Sequence, residues 1–206
     1  VRGVVAGPPV LEHFGSNGKR ADLTLLTKRV EKDRQTGEWV VHTDPVYIRA
    51  EYEDAERLAG ILAYYYEKEG MVPILIGHSD GASIALLYAA QHPAAVAGLV
   101  LMAPHLFVEA VSITSIEAAR GAYTHTDLRQ RLARHHEDVD SAFWGWNHAW
   151  LNPPFRDWNI EAGLARIRCP VLAIQGLDDE YGTLQQVHRL RDHLPAAQLL
   201  ELPDCG

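Results

Sequence analysis

The sequence predicts an α/β fold: a partial, doubly wound and mostly parallel sheet with an inserted helical segment and an atypical N-terminal hairpin. Three observations predict it. Short apolar runs without polar alternation recur after residue 70, and such runs suit strands buried on both faces. Stretches of helix length separate them, as crossover connections require. A Gly-x-Ser-x-Gly pattern, Gly77-His78-Ser79-Asp80-Gly81, falls at one strand-to-helix junction.

The 206 residues allow one domain with a sizeable core, and hardly two. We expect a single unit over 1–206: an atypical segment 1–50, a core from 51–104 and 168–206, and an insertion at 105–167. At 47% hydrophobic and 22% charged, the chain is neither membrane-like nor disordered. Its net charge of -8 argues against a nucleic-acid partner, which needs a basic face. No apolar run approaches the ~20 residues of a membrane span. Cys169 and Cys205 lack metal spacing, so free thiols in a reducing cytoplasm are expected, with no cofactor and no metal. No signal peptide opens the chain. Val1 is not Met, and Gly206 follows a strand-like run, so the expectation is a fragment.

Asp22 to Val30 and Glu38 to Thr43 are β-rich and flank a charged turn through Gly37, which reads as a hairpin ended by Pro45. Glu53 to Glu69 carries Ala55, Leu58, Ala59, Leu62, Tyr65 and Tyr66 at helical spacing, with Gly70 as its stop. Val72 to Ile76 is an apolar strand. Ala82 to Gln91 is a helix closed by Pro93. Val96 to Met102 and Pro170 to Gln175 are strands. Leu184 to Leu194 is a helix, and Gln198 to Leu202 a last strand.

The serine motif has a mechanical meaning in this context. A sharp turn between strand and helix presents the Ser79 hydroxyl at the top of a sheet. The helix behind it aims free N–H groups and partial positive charge at the same point. The Asp80 N–H is a candidate oxyanion donor. The bland alternative is a glycine-rich loop with Ser79 as a helix N-cap.

The stretch Ile74 to Ala90, containing Gly-His-Ser-Asp-Gly, strongly resembles the nucleophile elbow of the α/β-hydrolase family. Gly98-Leu99-Val100-Leu101-Met102-Ala103-Pro104 is similar to that family's next strand. The resemblance covers about residues 52 to 206. It implies an acid in a Gly-x-x-Asp turn after the insertion. Gly176-Leu177-Asp178-Asp179 matches, which makes Asp179 the candidate acid and Asp178 the runner-up. The acid would orient an imidazole and stabilise its charged form; the alternative is a pair of turn aspartates capping the next helix.

In this family the base follows the acid. Only His188 and His193 follow Asp179, and both fall in the predicted helix, facing solvent. Leu199 to Gly206 resembles the strand and turn that precede the family's histidine, so the chain is expected to end one residue short of it. His78 should point away from Ser79 and pack behind the elbow. His105 reads as a satisfied structural histidine close to the pocket. Pro8 to Gly18 only faintly echoes the family's oxyanion loop, which leaves the second oxyanion donor unassigned. The charged hairpin stands where early strands are expected, and could cover the sheet edge they would otherwise cover.

The insertion lies where the family places its lid. Phe143, Trp144, Trp146, Trp150, Phe155 and Trp158 either line an apolar acyl pocket or pack the helices together. Glu117 to Arg120 and Asp127 to His136 read as solvated helical faces. The resemblance implies a serine hydrolase acting on a small uncharged ester, lactone or activated ketone. The rival reading is a non-catalytic remnant that binds a ligand or partner. A nucleotide-binding protein is disfavoured, because no glycine-rich phosphate loop follows any strand.

Overall fold

The structure, a computed structural model, describes residues 72–206 in full and the backbone of two strands at 20–32 and 39–51. The helix expected over 53–69, the stretch from Pro8 to Gly18 and the hairpin's turn lie outside the described residues.

Six strands form one sheet. They are β1 (Arg20–Lys32), β2 (Trp39–Glu51), β3 (Ile74–His78), β4 (Gly98–Met102), β5 (Val171–Gly176) and β6 (Gln198–Leu202). The order is β2-β1-β3-β4-β5-β6. From β3 to β6 every pairing is parallel, with Ile74 opposite Gly98, Leu99 opposite Val171 and Gly176 opposite Leu202. β1 runs antiparallel to both β2 and β3. The hairpin therefore covers the β3 flank of the parallel sheet, and its outer strand becomes the new edge.

Strand boundaries correct the sequence reading, β4 starting at Gly98 rather than Val96, and two of the differences have a plain cause. Pro45 does not end the hairpin: β2 runs through it, pairing Pro45 with Leu26 and reaching Glu51. An edge strand has one side with no ladder, so a residue without an N–H is tolerated there. β3 starts at Ile74, after the exposed Val72 and after Pro73, and continues through Gly77 to His78. Pro73 adds only its carbonyl, which accepts from the Ala97 N–H at 2.7 Å.

The parallel half is built for burial. Leu75, Leu101 and Ala173 are fully buried, and α1 (Asp80–Gln91) lies on them almost without an exposed face. Its Ala82, Ala85 and Ala89 let the helix come close, while Leu86 fills the space between. Truncating a side chain such as Leu101 to alanine would cost about 2–5 kcal/mol. α6 (Gln185–His193) adds Val187 and Leu190 to the same core.

Between β4 and β5 come α2 (Ala110–His125), α3 (Leu128–Leu132), α4 (Val139–Leu151), a 3-10 turn at Pro153–Asp157 and α5 (Glu161–Leu164). The Asp138 carboxylate caps α4 by accepting from the Ser141 N–H at 3.0 Å. The segment Glu117 to Arg120 and most of Asp127 to His136 face solvent, as read from their charge.

Candidate active site

Ser79 sits between β3 and α1 with φ 52 and ψ -122, the left-handed side of backbone space. A non-glycine residue there carries about 1–3 kcal/mol of strain, which the surroundings must hold. They do so through backbone bonds. The Ser79 N–H donates to the Met102 carbonyl at 2.9 Å, and the Ser79 carbonyl accepts from the Ala82 and Ser83 N–H groups. Gly77 is required by close approach: a Cβ there would stand 2.4 Å from the Gly81 carbonyl oxygen. Ser79 occupies the N-cap position but makes no side-chain capping bond, so the N-cap alternative fails.

Asp80 opens α1, where backbone N–H groups fall outside the helical ladder. Its side chain is buried and accepts from the Trp150 indole N–H, 3.2 Å from one oxygen and 3.4 Å from the other. His78 is exposed and does not pack behind the elbow as expected. Leu75 and Gly77 take the buried register of β3, which leaves His78 on the other face at the strand's open end.

Asp179 follows β5, on the same carboxyl edge of the sheet. With β4 between them, β3 and β5 stand two strand spacings apart, roughly 10 Å. That is a span one imidazole and two side chains can bridge. The Asp179 carboxylate is anchored at both oxygens: Gln175 Nε2 donates to Oδ2 at 2.7 Å and the Tyr181 N–H to Oδ1 at 2.8 Å. Asp178 is exposed, and its N–H donates to the Cys205 carbonyl at 2.9 Å. The held carboxylate is thus Asp179. Neither aspartate caps α6, whose N-cap residue Leu184 has no side-chain cap.

The acid loop is also tied to the helical insertion. Ser112 Oγ donates to the Tyr181 carbonyl at 2.5 Å, and Ser115 Oγ to the Glu180 carbonyl at 2.6 Å. Glu109 accepts from the Thr183 N–H and hydroxyl and from Gln186 Nε2.

His188 and His193 lie on α6, where their Nε2 atoms meet the carboxylates of Glu201 at 2.8 Å and Glu161 at 3.3 Å. His105 is the deeply buried histidine of this edge, 4% exposed. Its carbonyl accepts from Ser83 Oγ at 2.7 Å, and its ring meets Trp150 edge-on and lies against Gly182. Contrary to the expectation of a satisfied ring, Nδ1 is buried without a hydrogen-bond partner among the described residues. Burial pushes the His105 pKa down; Asp80, Asp179 and Glu109 offset part of this, and His78 adds to it.

The aromatic side chains pack on one another. Phe143 stacks on Tyr123 at 3.8 Å, with Trp144 and Trp146 edge-on to Phe143. Trp150, Phe155 and Trp158 form a second group. At one end of the first group, burial and a hydrogen bond to Asp140 push the Tyr123 hydroxyl up to about 12. Among the described residues, no His, Cys, Asp and Glu side chains gather to hold a metal ion, and no helix is long and apolar enough to cross a membrane.

The sequence reading named Trp150 only as an aromatic of the insertion, and missed its bond to Asp80, the role of Gln175 and the three insertion residues that hold the acid loop. One signal was present for Gln175. It continues the buried alternation of Val171 and Ala173, and a polar residue in that register needs a partner.

The sequence pattern that defines the Alpha/beta hydrolase family matches residues 15–206. A search of curated proteins gives no match. Solved structures with a similar fold include a carboxylesterase of the thaumarchaeon Nitrososphaera gargenis, with 19% identity, 79% of this chain and 71% of that one covered, and a TM-score of 0.56. A proline iminopeptidase of Mycobacterium smegmatis matches at 18% identity over 84% and 74% of the two chains, with a TM-score of 0.55. An esterase of Rhodococcus matches at 22% identity over 76% and 66%, with a TM-score of 0.51. At these identities the structures speak to the fold alone, while the family pattern spans nearly the whole sequence: the chain belongs to the α/β-hydrolase family of enzymes.

Proposed function

We propose that the chain is a serine hydrolase acting on a small uncharged ester, lactone or activated ketone. Ser79 Oγ attacks the acyl carbon. Asp179 orients the histidine that takes the serine proton, and the Asp80 N–H holds the oxyanion. The bond from the acyl carbon to the leaving group breaks as the histidine gives that group the proton. Water, deprotonated by the same histidine, then cleaves the acyl–Ser79 ester and releases the acid. The observation that carries this reading is the strained Ser79 conformation, held at the carboxyl edge that also presents an anchored Asp179. A backbone does not store that strain without a return in function or packing, and Ser79 caps nothing. The esterase and carboxylesterase names of similar structures lean the same way.

The histidine is the open term. Among the described residues, no histidine ring is hydrogen-bonded to Ser79 or to Asp179. Gly206 lies against Asp178, and the Cys205 carbonyl is bonded to the acid loop, so a residue joined to Gly206 enters beside that loop. The second reading is a non-catalytic member that binds a ligand or partner. The observation that favours it is that no described histidine is bonded to Asp179, whose donors among the described residues are Gln175 and the Tyr181 N–H. A reducing compartment such as the cytoplasm suits Cys169 and Cys205, both free thiols.

The test is hydrolysis of short-chain p-nitrophenyl esters by this chain and by the chain extended past Gly206 with His and a short helix. Each is run beside its Ser79→Ala variant. Turnover that Ser79→Ala removes, by about 10³-fold or more, is expected in the extended chain. Folded protein with no Ser79-dependent turnover in either form would leave the binding reading standing.

A further inference from the structure

Asp80 brings two groups to the site. Its N–H is the oxyanion donor of the serine-hydrolase reading, on which this inference rests. Its carboxylate, one residue from the nucleophile, would repel the negative charge that develops on the acyl oxygen. Something must keep the second group turned away while the first stays in place.

We propose that Trp150 is the positioning residue that does this. Its indole N–H reaches both Asp80 oxygens, at 3.2 and 3.4 Å, and so fixes the carboxylate from the α4 side. The indole is itself locked. Trp150 is 2% exposed and is packed by His105 at 4.9 Å, Phe155 at 5.2 Å and Trp158 at 6.4 Å between ring centres. The contact closes a circuit. Asp80 and Ser83 are three residues apart on α1 and so share a face. Asp80 is bonded to Trp150, Ser83 is bonded to the His105 carbonyl, and the Trp150 and His105 rings touch. The first turn of α1 is thus tied at two points to the segment after β4 and to the insertion. A merely structural acid at a helix N-terminus gains from the helix dipole without an aromatic anchor. Here the anchor lies on the residue whose N–H would meet the oxyanion.

The experiment compares Trp150→Phe with the double variant Trp150→Phe/Asp80→Asn, in whichever chain shows Ser79-dependent turnover. Trp150→Phe keeps the ring packing and drops the N–H. It is expected to lower kcat about tenfold and leave KM within about twofold, less than the loss of a whole oxyanion donor. Removing the charge in that background should restore kcat at least about threefold, since the two residues are coupled. Damage to packing alone gives no such rescue, and equal kcat in the two variants overturns the proposal.

A second measurement needs no turnover. The chain has five tryptophans. The Trp150 indole proton is identified by the signal that Trp150→Phe deletes from a nitrogen–proton correlation spectrum. It should move upfield in Asp80→Leu; an unmoved signal from folded protein overturns the contact. No Ser79-dependent turnover in any chain removes the hydrolase reading and the positioning role together, whatever the indole signal shows.

Discussion

The turn from Gly77 to Gly81 and the loop from Gly176 to Thr183 stand on one edge of the sheet and are held in different ways. The first is held mainly by backbone, beside the Trp150 bond to the Asp80 side chain. Its carbonyls and N–H groups bond to one another and to β4, and Gly77 makes room for Gly81. The second has backbone bonds, from the Leu177 N–H to the Leu202 carbonyl and the Asp178 N–H to the Cys205 carbonyl, and adds side-chain ties. Gln175 and the Tyr181 N–H grip Asp179, and Glu109, Ser112 and Ser115 of the insertion grip the residues after it. A turn held by its own backbone has no slack. A loop held by several side chains can lose one and keep the rest.

The sharpest way to break the comparison is a glycine-to-alanine pair. The Gly77→Ala Cβ would stand 2.4 Å from the Gly81 carbonyl oxygen, inside a fully packed strand-helix junction. The expected cost is about 3 kcal/mol or more, because backbone must move against backbone. Gly176→Ala meets the Cys205 carbonyl oxygen at 2.2 Å, a shorter contact on paper. Residues 203–206 are exposed, however, and can shift outward, so about 1–2 kcal/mol is expected. Urea unfolding of both variants measures the difference. Equal costs would show that the acid loop is as rigid as the elbow.

The same difference decides what can be read from sequence. The elbow's needs fall within five consecutive residues, so Gly77-His78-Ser79-Asp80-Gly81 announces both the strand and the helix around it. The parallel strands were legible for a similar reason, since each apolar run from β3 to β6 is local. The acid loop's partners are not local. Ser112 and Tyr181 are 69 residues apart, and Thr183 and Glu109 are 74 apart. No spacing rule links them. Trp150 and Asp80 are 70 apart, and an indole in an aromatic-rich insertion gives no sign of which carboxylate it serves. Pro45 misled for a different reason: whether a proline breaks a strand depends on whether that strand is an edge, and the edge is set by the whole sheet order.

Removing one side-chain tie should be milder. Ser112 is fully buried and donates to the Tyr181 carbonyl, so Ser112→Ala leaves that acceptor unpaired and should cost about 1–2 kcal/mol. Thr114 is its control. It is exposed and bonds only back to the Ala110 carbonyl of its own helix, so Thr114→Ala should change stability by less than about 0.5 kcal/mol. The same urea series reads both. A Ser112→Ala effect no larger than the control's would mean that Glu109 and Ser115 alone hold the loop.

The smallest effect near neutral pH belongs to His105, which lies between the two regions. Its ring is buried against Gly182 of the acid loop and Trp150 of the insertion, and its pKa is lowered by that burial. The folded state therefore holds the ring neutral below the pH at which the unfolded chain, near 6.5, takes up a proton. As pH falls through that value the unfolded state binds the extra proton, and stability drops; above it the ring has no effect. The carboxylates of Asp80, Asp179 and Glu109 and the ring of His78 all face this group, so the slope must be isolated by substitution. His105→Gln should flatten the fall in Tm between pH 6.5 and 5 while leaving the alkaline side unchanged. An identical slope in both proteins would show that the His105 ring does not set the acid sensitivity, and would mean that the joint between elbow and acid loop tolerates a charge.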